Sequence, residues 1–345
     1  MKAVLCICIS TYNRVDKLKT LLWEILNCKS PKLAVVVVDD NSTDKTLELL
    51  SQIEDKRVSY VVNKNNKGAR ENWYETINQG NGKYLLHLLD RDWVRVEYLE
   101  KVLELLENET CGFGYVGNFF NLVPEKGGIV ERYSAGREAL EKFSFTALHP
   151  SGCFVRKELW DKLIEKEKFF VGNEYGIYPH GYIFNLLGME YEGIIVHIPL
   201  VETINKASYV RYKSKFYQNS KNQYAMWWSP LARIKELKCA TRYLYKESKI
   251  DDKQIKHILR YRFCEGIYSA TIMYKNIAKD YWNAEHYGIE MEYIEEKELI
   301  KNSISFLVKY LMYIIKECPR LFCRKFVMKL FGVWINNLKD IMLYK

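Results

Sequence analysis

Apolar residues in the first 110 positions alternate between short continuous runs and helical spacing. The continuous runs, rich in Val, Ile and Leu, cover residues 4–10, 33–38, 58–62 and 83–89. Helical spacing is found in residues 17–27 and 44–53, and a third helix is expected near residues 70–79. Continuous apolar runs are typical of strands that are buried on both faces. Strand and helix signals that alternate in this way predict an α/β fold with a mostly parallel central sheet covered by helices.

Residues 111–204 give more mixed signals. Strands are expected at residues 112–120, 129–133, 151–156 and 194–198, and helices at residues 157–167 and 179–187. Pro179 suits the first turn of the last helix, and Gly188 is expected to end it. From about residue 205 the pattern is helical, with Tyr and Trp interleaved with Lys and Arg. We therefore predict two parts, an α/β domain over residues 1–204 and a helical region over residues 205–345.

Polar residues of the α/β domain fall where the predicted strands end. They form four clusters, at residues 10–14, 39–44, 63–72 and 90–92. In open α/β sheets, ligands bind beyond the carboxyl ends of the strands. Four strands that deliver polar residues to one edge therefore predict a ligand site at that edge.

Composition places the chain among globular proteins, since 48% of its residues are hydrophobic and 28% are charged. The first apolar run is too short for a signal-peptide core or a membrane span, which favours a cytoplasmic location. The nine cysteines are scattered and form no C-x-x-C pair. We interpret them as small core residues in a reducing compartment.

Charge is divided unevenly along the chain. Residues 205–345 carry 27 Lys and Arg against 14 Asp and Glu, so the net charge of +9 arises entirely in this part. Residues 326–344 place an apolar face between basic residues on a predicted helix, which suits an anionic membrane surface. The alternative is packing against the α/β domain or against a second copy in a homo-oligomer. Nucleic acid is not expected as a partner, because no reader motif is present and the N-terminal half is acidic.

Asp90 and Asp92 follow the predicted strand at residues 83–89 directly. Two carboxylates two positions apart on a loop can converge on one hard cation. Mg²⁺ or Mn²⁺ typically takes one or two protein carboxylates and completes its shell with phosphate oxygens and water. Such a cation neutralises a departing diphosphate. The pair therefore predicts a Mn²⁺ or Mg²⁺ site, with a solvated turn before the next helix as the structural alternative.

Two further clusters suit a nucleotide. Asp40 follows the second strand together with Asp39, and one of these carboxylates can accept a hydrogen bond from a base N–H. The segment from Asn66 to Asn72 combines an Asn-x-Gly turn with Arg70 on the first helical turn. Amides at a helix start and a guanidinium suit a phosphate or ribose. Taken alone, the first cluster is also typical of a helix cap and the second of an ordinary turn.

The order of these motifs resembles the family 2 glycosyltransferases. The matching segments are Ile9-Ser10-Thr11-Tyr12-Asn13-Arg14, Val38-Asp39-Asp40-Asn41-Ser42-Thr43-Asp44, Asn66-x-Gly68 with Asn72, and Gly82-Lys83-Tyr84 leading to Asp90-x-Asp92. The resemblance is specific over residues 3–105 and weaker up to about residue 204. It implies the GT-A fold, a nucleotide-binding α/β sandwich. The short Asn-x-Gly-x-x-x-Asn form is similar to the branch that adds sugars to bacterial surface polysaccharides.

The resemblance also implies roles for individual residues. Thr11, Tyr12 and Asp40 would hold the base, Arg70 and Asn72 would lie near the ribose and diphosphate, and Asp92, with Asp90 on the ribose side, would bind the metal. Arg14, Asn66 and Gly68 complete the expected donor site. Family members invert the anomeric carbon in a single displacement, for which a base must deprotonate the acceptor hydroxyl.

The catalytic base is where this sequence departs from the family pattern. Family members carry an acidic pair before a late helix that ends in glycine, and here Tyr-Pro-His stands at residues 178–180. His180 and Glu174 are the two candidates for the base. His149 and Ser151 would line the acceptor side, or else form only a turn.

We therefore predict an inverting glycosyltransferase that moves a sugar from a UDP- or dTDP-linked donor to a glycan acceptor. The acceptor is expected to be lipid-linked, and the protein to work at the inner face of the membrane. A sugar nucleotidyltransferase is disfavoured, because it expects a Gly-rich basic loop where residues 10–14 lie. A degenerate, non-catalytic member retained for assembly is the other alternative, since the acidic base is missing.

Overall fold

The computed structural model describes residues 3–118, 129–143, 149–171 and 179–202, together with Lys253. The strands are β1 (Leu5–Thr11), β2 (Leu33–Asp39), β3 (Val58–Val62), β4 (Tyr84–Leu89), β5 (Trp93–Val94), β6 (Phe113–Asn118), β7 (Val130–Tyr133), β8 (Cys153–Arg156) and β9 (Gly193–Glu202). The helices are α1 (Val15–Asn27), α2 (Thr46–Ser51), α3 (Ala69–Gln79), α4 (Leu99–Asn108), α5 (Arg137–Phe143), α6 (Lys157–Lys162) and α7 (Pro179–Glu190). Two 3₁₀ helices cover Val96–Tyr98 and Lys166–Phe169.

These elements belong to the first of two units into which the chain divides, Met1–Ile204 and Asn205–Lys345. The helical region predicted over residues 205–345 lies outside the described residues, so its role stays a prediction. Within the described residues, no helix combines the length and the apolar character that crossing a bilayer requires.

The described strands form one sheet in the order β3-β2-β1-β4-β8-β6-β9-β5, with β7 paired to β9. The first four strands run parallel, and Leu5 pairs with Leu33 on one side and with Tyr84 on the other. Strand β8 runs antiparallel to β4 and β6, while β6 and β9 are parallel. A mixed α/β fold around a mostly parallel sheet confirms the predicted fold class.

The main core lies on one face of the parallel strands, under α1 and α4. Ile7, Ile9, Leu86 and Leu88 point to this face and are buried with the apolar stripe of each helix. Burial of one such side chain contributes about 1.5–3 kcal/mol. On the opposite face α3 packs against β1 and β2. The described cysteines, Cys6, Cys8, Cys28, Cys111 and Cys153, are buried and form no disulfide.

Helix α2 is shorter than the predicted helix over residues 44–53. Its start is set by Asp44, whose carboxylate accepts hydrogen bonds from the backbone of Val15 at 3.1 Å and of Thr46 at 3.0 Å. Ser42 and Thr43 contact the loop after β1. Leu47 is 50% exposed, whereas Leu50 is buried. The predicted helix was therefore too long at both ends.

Two later helices also differ from their predicted lengths. The helix expected over residues 157–167 ends at Lys162, because Leu163 adopts an extended conformation, and Glu165 follows in a left-handed conformation with φ of 54°. Helix α7 continues through Gly188 instead of stopping there. An added Cβ at Gly188 would lie 3.4 Å from the Cβ of Ala139 in α5, which is an ordinary contact distance. Helix α7 passes Gly188 without interruption, so the predicted stop was wrong.

Candidate functional site

The carboxyl ends of β1, β2 and β4 bring the predicted polar residues to one edge of the sheet. Thr11 stands opposite Asp39 in the register, and the Asp40 backbone N–H donates to the Thr11 carbonyl at 3.0 Å. On the other side of β1, Ser10 pairs with Leu89, the residue before Asp90. Parallel pairing therefore places the loops after three strands side by side.

Asp90 is held by two side chains from the end of β1. Arg14 Nη1 lies 2.8 Å from Asp90 Oδ1, and Thr11 Oγ1 donates to Asp90 Oδ2 at 2.8 Å. The Asp90 side chain has 0% exposure. Burial raises the pKa of Asp90, and the Arg14 guanidinium opposes that rise. With both oxygens engaged, Asp90 ties the loops after β1 and β4 to each other.

The Asp92 carboxylate has fewer hydrogen-bond partners than that of Asp90. The Asp92 backbone N–H donates to the Leu89 carbonyl at 3.0 Å and closes a tight turn after β4. Ser151 Oγ donates to Asp92 Oδ2, and within the described residues no hydrogen bond reaches Oδ1. Burial raises the pKa of Asp92 to about 6, although the hydrogen bond from Ser151 opposes the rise. A nearby cation would favour the ionised form of such a carboxylate.

These carboxylates fit a divalent cation that arrives with its own ligands. Mg²⁺ and Mn²⁺ usually bind through one or two protein carboxylates while phosphates and water complete the shell. One oxygen of Asp92 has no hydrogen bond within the described residues, whereas both oxygens of Asp90 accept hydrogen bonds, from Arg14 and Thr11. Across the described residues, no three His, Cys, Asp or Glu side chains are grouped as a metal site. The ligand set therefore suits a cation carried by a diphosphate, and it leaves Asp92 better oriented than Asp90.

The Asp40 carboxylate is buried and faces the loop before α3. Oδ1 accepts hydrogen bonds from Asn63 Nδ2 at 2.9 Å and from the Lys67 backbone at 2.8 Å, and Oδ2 accepts one from the Gly68 backbone at 2.8 Å. Gly68 has φ of 85°, which favours glycine. Asp40 thus holds the start of α3 in place. A bond from Asp40 to a nucleotide base stays a prediction, and it would be made beside these three bonds.

The side-chain amide of Asn72 donates its hydrogen bonds within the protein. Its Nδ2 donates to the carbonyls of Thr11 at 3.3 Å and Val38 at 3.1 Å, and its Oδ1 accepts from Asn63 Nδ2 at 3.0 Å. Asn72 is 2% exposed. The side chain joins α3 to the ends of β1 and β2. Both N–H groups of its amide are thus engaged within the protein, and a position near the ribose and diphosphate stays a prediction.

The accessible residues of the predicted donor site include Tyr12, Asn66 and Arg70, and the Arg14 side chain is 32% exposed as well. Tyr12 is 41% exposed beside Thr11. Asn66 is exposed and donates to the Asp40 carbonyl at 3.2 Å. Arg70 is half-buried in the first turn of α3. An aromatic ring, an amide and a guanidinium are groups that contact bases, sugars and phosphates.

The loops after β1 and β2 are joined by Asn13, which the motif analysis did not single out. Its Oδ1 accepts a hydrogen bond from the Thr43 backbone at 2.7 Å, and its own N–H donates to Ser42 Oγ at 2.8 Å. Asn13 and Asn41 have φ of 52° and 61°. Asparagine tolerates this left-handed conformation better than most residues. The Asn residues in both motifs therefore shape the loops that carry Tyr12 and Asp40.

The structure describes His180 and His149, two of the residues expected at the base and on the acceptor side. His180 is 4% exposed in the first turn of α7, where its ring packs against Trp73 with centroids 5.3 Å apart. Glu174 lies outside the described residues. His149 Nδ1 lies 3.6 Å from Asp92 Oδ2, and burial lowers the pKa of His149 to about 4. His149 therefore neighbours the Asp92 carboxylate, and the identity of the base stays a prediction.

An apolar crevice behind this edge is lined by aromatic side chains including Trp73 and Trp160, and by His87 and His180. His87 stacks on Trp73 with ring centroids 4.1 Å apart, and its Nε2 lies 3.3 Å from Ser10 Oγ. Burial lowers the pKa of His87 to about 3, so the ring is neutral near pH 7. Sequence reasoning missed this pair, and a histidine inside an apolar strand was the only signal for it.

Fold and site together define a class: an α/β domain of the GT-A type with polar side chains at the edge where its parallel strands end. Residues 6–163 match the model of Glycosyl transferase family 2. The family resemblance inferred from the motifs is thereby confirmed.

Curated relatives match the same region. The chain is 29% identical over 181 residues to the GalNAc(5)-diNAcBac-PP-undecaprenol beta-1,3-glucosyltransferase of Campylobacter jejuni, which is 49% of this chain and 57% of the relative. It is 27% identical over 141 residues to TuaG of Bacillus subtilis, named as a teichuronic acid biosynthesis glycosyltransferase, which is 40% of this chain and 55% of the relative. The chain thus spans little more than half the length of these relatives.

Solved structures share the fold at low sequence identity. TarS 1-349 of S. aureus matches with a TM-score of 0.55 at 14% identity, over 82% of this chain and 81% of that chain. The mannosyltransferase PcManGT of Pyrobaculum calidifontis, solved with GDP-Man and Mn²⁺, matches with a TM-score of 0.52 at 16% identity, over 99% and 88%. At such identities the likeness establishes the GT-A fold and nothing finer.

Proposed function

We propose that this protein is an inverting glycosyltransferase that transfers a sugar from a UDP- or dTDP-linked donor to a glycan acceptor. The observation that carries the proposal is the buried Asp92 carboxylate at the edge where three parallel strands end. Its Oδ2 accepts a hydrogen bond from Ser151, and its Oδ1 has no hydrogen bond within the described residues. The match of residues 6–163 to the model of a glycosyltransferase family supports the activity. A relative named for a PP-undecaprenol-linked glycan supports a lipid-linked acceptor in surface polysaccharide synthesis.

The accessible residues of the edge would bind the donor. Tyr12 would stack on the base, while Arg70 and the loop amides before α3 would face the ribose and diphosphate. Asp92 would hold Mn²⁺ or Mg²⁺, an ion that neutralises charge on the diphosphate when bound. Asp90 would bind Arg14 and Thr11 and so hold the loops after β1 and β4 together.

In an inverting transfer, the acceptor hydroxyl attacks the anomeric carbon opposite the nucleoside diphosphate. The bond from that carbon to the acceptor oxygen forms as its bond to the diphosphate oxygen breaks, and a base takes the hydroxyl proton. His180 and Glu174 are the candidate bases. His180 would need the acceptor hydroxyl to reach the crevice beside Trp73, because its ring is buried there.

We further propose that the protein works at the cytoplasmic face of the membrane and binds there peripherally. The basic residues 324–345 would contact anionic headgroups, each Lys or Arg near the surface contributing about 1 kcal/mol. A lipid-linked acceptor would then be presented close to the edge that holds the donor.

Calorimetry with UDP, dTDP, GDP and CDP, each with Mn²⁺, with Mg²⁺ and with chelator, tests the donor site. One nucleotide is expected to bind at micromolar Kd and only with metal. Asp92→Asn should abolish that binding, whereas Asp161→Asn, which changes an exposed carboxylate paired with Lys157, should bind as the wild type does. If no nucleotide binds, the degenerate and non-catalytic alternative takes the place of this proposal.

A further inference from the structure

Ser151 lies where β4 meets the turn that carries Asp92. It is buried in the loop before β8, and its Oγ accepts a hydrogen bond from the Leu89 backbone at 3.0 Å. Because a backbone N–H can only donate, Ser151 Oγ must be the acceptor in that bond, and its single proton is left for Asp92 Oδ2. The chemistry of the Leu89 N–H therefore settles the direction of both hydrogen bonds.

The neighbouring His149 does not donate a hydrogen bond to Asp92. His149 Nδ1 accepts a hydrogen bond from the Ser151 backbone at 3.3 Å, so this nitrogen carries a lone pair and no proton. It lies 3.6 Å from Asp92 Oδ2, beyond hydrogen-bonding distance. Within the described residues, Ser151 is thus the side chain that donates to the Asp92 carboxylate.

The loop that carries Ser151 is fixed by the sheet. The Gly152 N–H donates to the His87 carbonyl at 3.0 Å, and the Gly152 carbonyl accepts from the Val116 backbone at 2.8 Å, so the residue is bonded to both β4 and β6. Gly152 has φ of 100°, and an added Cβ would come 2.6 Å from the Val116 carbonyl oxygen. Only glycine fits there. The backbone therefore presents the Ser151 hydroxyl to Asp92 with little freedom to move.

We propose that Ser151 is a positioning residue for the metal-binding carboxylate. It ties Asp92 Oδ2 to the end of β4 and leaves Oδ1 for the cation of the nucleotide complex. The inference rests on the proposed function, since it needs a cation at Asp92. Partners that hydrogen-bond a ligating carboxylate typically contribute ten- to hundredfold in metal affinity.

The test is a titration of the full-length Ser151→Ala variant with Mn²⁺ at a saturating concentration of the nucleotide that the wild type binds. Free Mn²⁺ is followed by electron paramagnetic resonance. The Kd for Mn²⁺ should rise ten- to hundredfold. Asp92→Asn, which removes the ligand that Ser151 orients, should bind no Mn²⁺ in the same titration and so marks the complete loss.

Thr76→Val is the matched control, since it removes a buried hydroxyl that donates to the Asn72 carbonyl at 2.6 Å, away from Asp92. It should bind Mn²⁺ as the wild type does. Unchanged Mn²⁺ affinity in Ser151→Ala, or an equal loss in Thr76→Val, overturns the inference.

If Ser151→Ala does not fold by circular dichroism, Ser151→Cys replaces it. A thiol is a weaker donor, so a smaller loss in the same direction is expected, and unchanged affinity again overturns the inference. Absence of metal-dependent nucleotide binding in the wild type would instead remove the proposed function, and the inference with it.

Discussion

The surroundings of Asp92 change the pKa of its carboxylate. A carboxylate on an exposed loop would ionise near pH 4. Here burial raises the pKa of Asp92 to about 6. The site therefore holds a carboxylate that is costly to ionise without a cation. A metal–diphosphate would remove that cost, so donor binding and ionisation of Asp92 are expected to be coupled.

The metal-free protein should lose stability as pH rises through this range. The folded pKa of Asp92 lies above the unfolded value of about 3.9, so the stabilising protonated form persists below pH 4 and is lost between pH 4 and 6. Asp92→Asn mimics that protonated form. In chelator at pH 8 it should be more stable than the wild type by about 2 kcal/mol, and the difference should vanish near pH 4. Urea unfolding at each pH measures this, and parallel curves for the two proteins would contradict it.

The base can be assigned by two variants. His180→Asn and Glu174→Gln are compared for kcat and for donor KM with the acceptor at saturation. The variant that removes the base should lose about 10²- to 10⁴-fold in kcat with donor KM unchanged, because general base catalysis acts on the acceptor hydroxyl. The other should retain most of its activity. Wild-type rates in both would exclude both candidates.

At the scale of elements, Asn72 connects one helix to two strands. Three of its hydrogen bonds cross between α3, the residue after β3, and the ends of β1 and β2. Asn72→Ala would leave two carbonyls and the Asn63 amide without this partner in the interior. The free energy of unfolding should fall by about 3 kcal/mol.

Urea unfolding of Asn72→Ala checks the role of this residue as a connector. Asn108→Ala is the control, since Asn108 is exposed at the end of α4 and bonds only to the Glu104 carbonyl one turn earlier. Its effect should stay within about 0.5 kcal/mol. Equal effects of the two substitutions would show that Asn72 does not join the elements as described.

Alanine substitutions at two glycines are expected to change the free energy of unfolding in opposite directions. Gly152 has φ of 100° and no room for a Cβ beside the Val116 carbonyl. Gly181 lies in α7, and no atom of the described residues comes within 4 Å of the position of an added Cβ. Gly152→Ala should therefore lower the free energy of unfolding by about 2 kcal/mol or more. Gly181→Ala should raise it by about 0.5–1 kcal/mol, because alanine is the better helix former. Melting temperatures that shift in the same direction would refute this difference.

At the scale of the whole molecule, charge separates the two parts of the chain. All of the excess of +9 lies in residues 205–345. Removal of residues 324–345 should weaken binding to anionic liposomes, since basic residues near such a surface contribute about 1 kcal/mol each. Nucleotide binding should be retained. Co-sedimentation with liposomes checks this, neutral liposomes serve as the control, and unchanged binding would favour packing of this segment on protein.

Much of the fold followed from local pattern. Runs of β-branched residues predicted the four parallel strands, because a sheet covered on both faces accepts only apolar side chains. The polar clusters predicted the edge of the site, because parallel strands end together. Helix lengths were less accurate: Gly188 was expected to end α7, yet the helix continues to Glu190. A glycine weakens a helix without always ending it, so only the structure showed where α7 stops.

The sequence by itself therefore determined the parallel strands of the first 90 residues, the edge to which Asp40, Asp90 and Asp92 belong, and the family resemblance. Only the tertiary structure decided the order of the strands in the sheet and what each of these side chains contacts. Ser151 is 59 positions away from Asp92 and donates to it all the same. The amide of Asn72 donates to carbonyls of β1 and β2, which no local motif indicated. Periodicity reports burial along one element, whereas hydrogen-bond partners are chosen between elements and depend on how the chain packs.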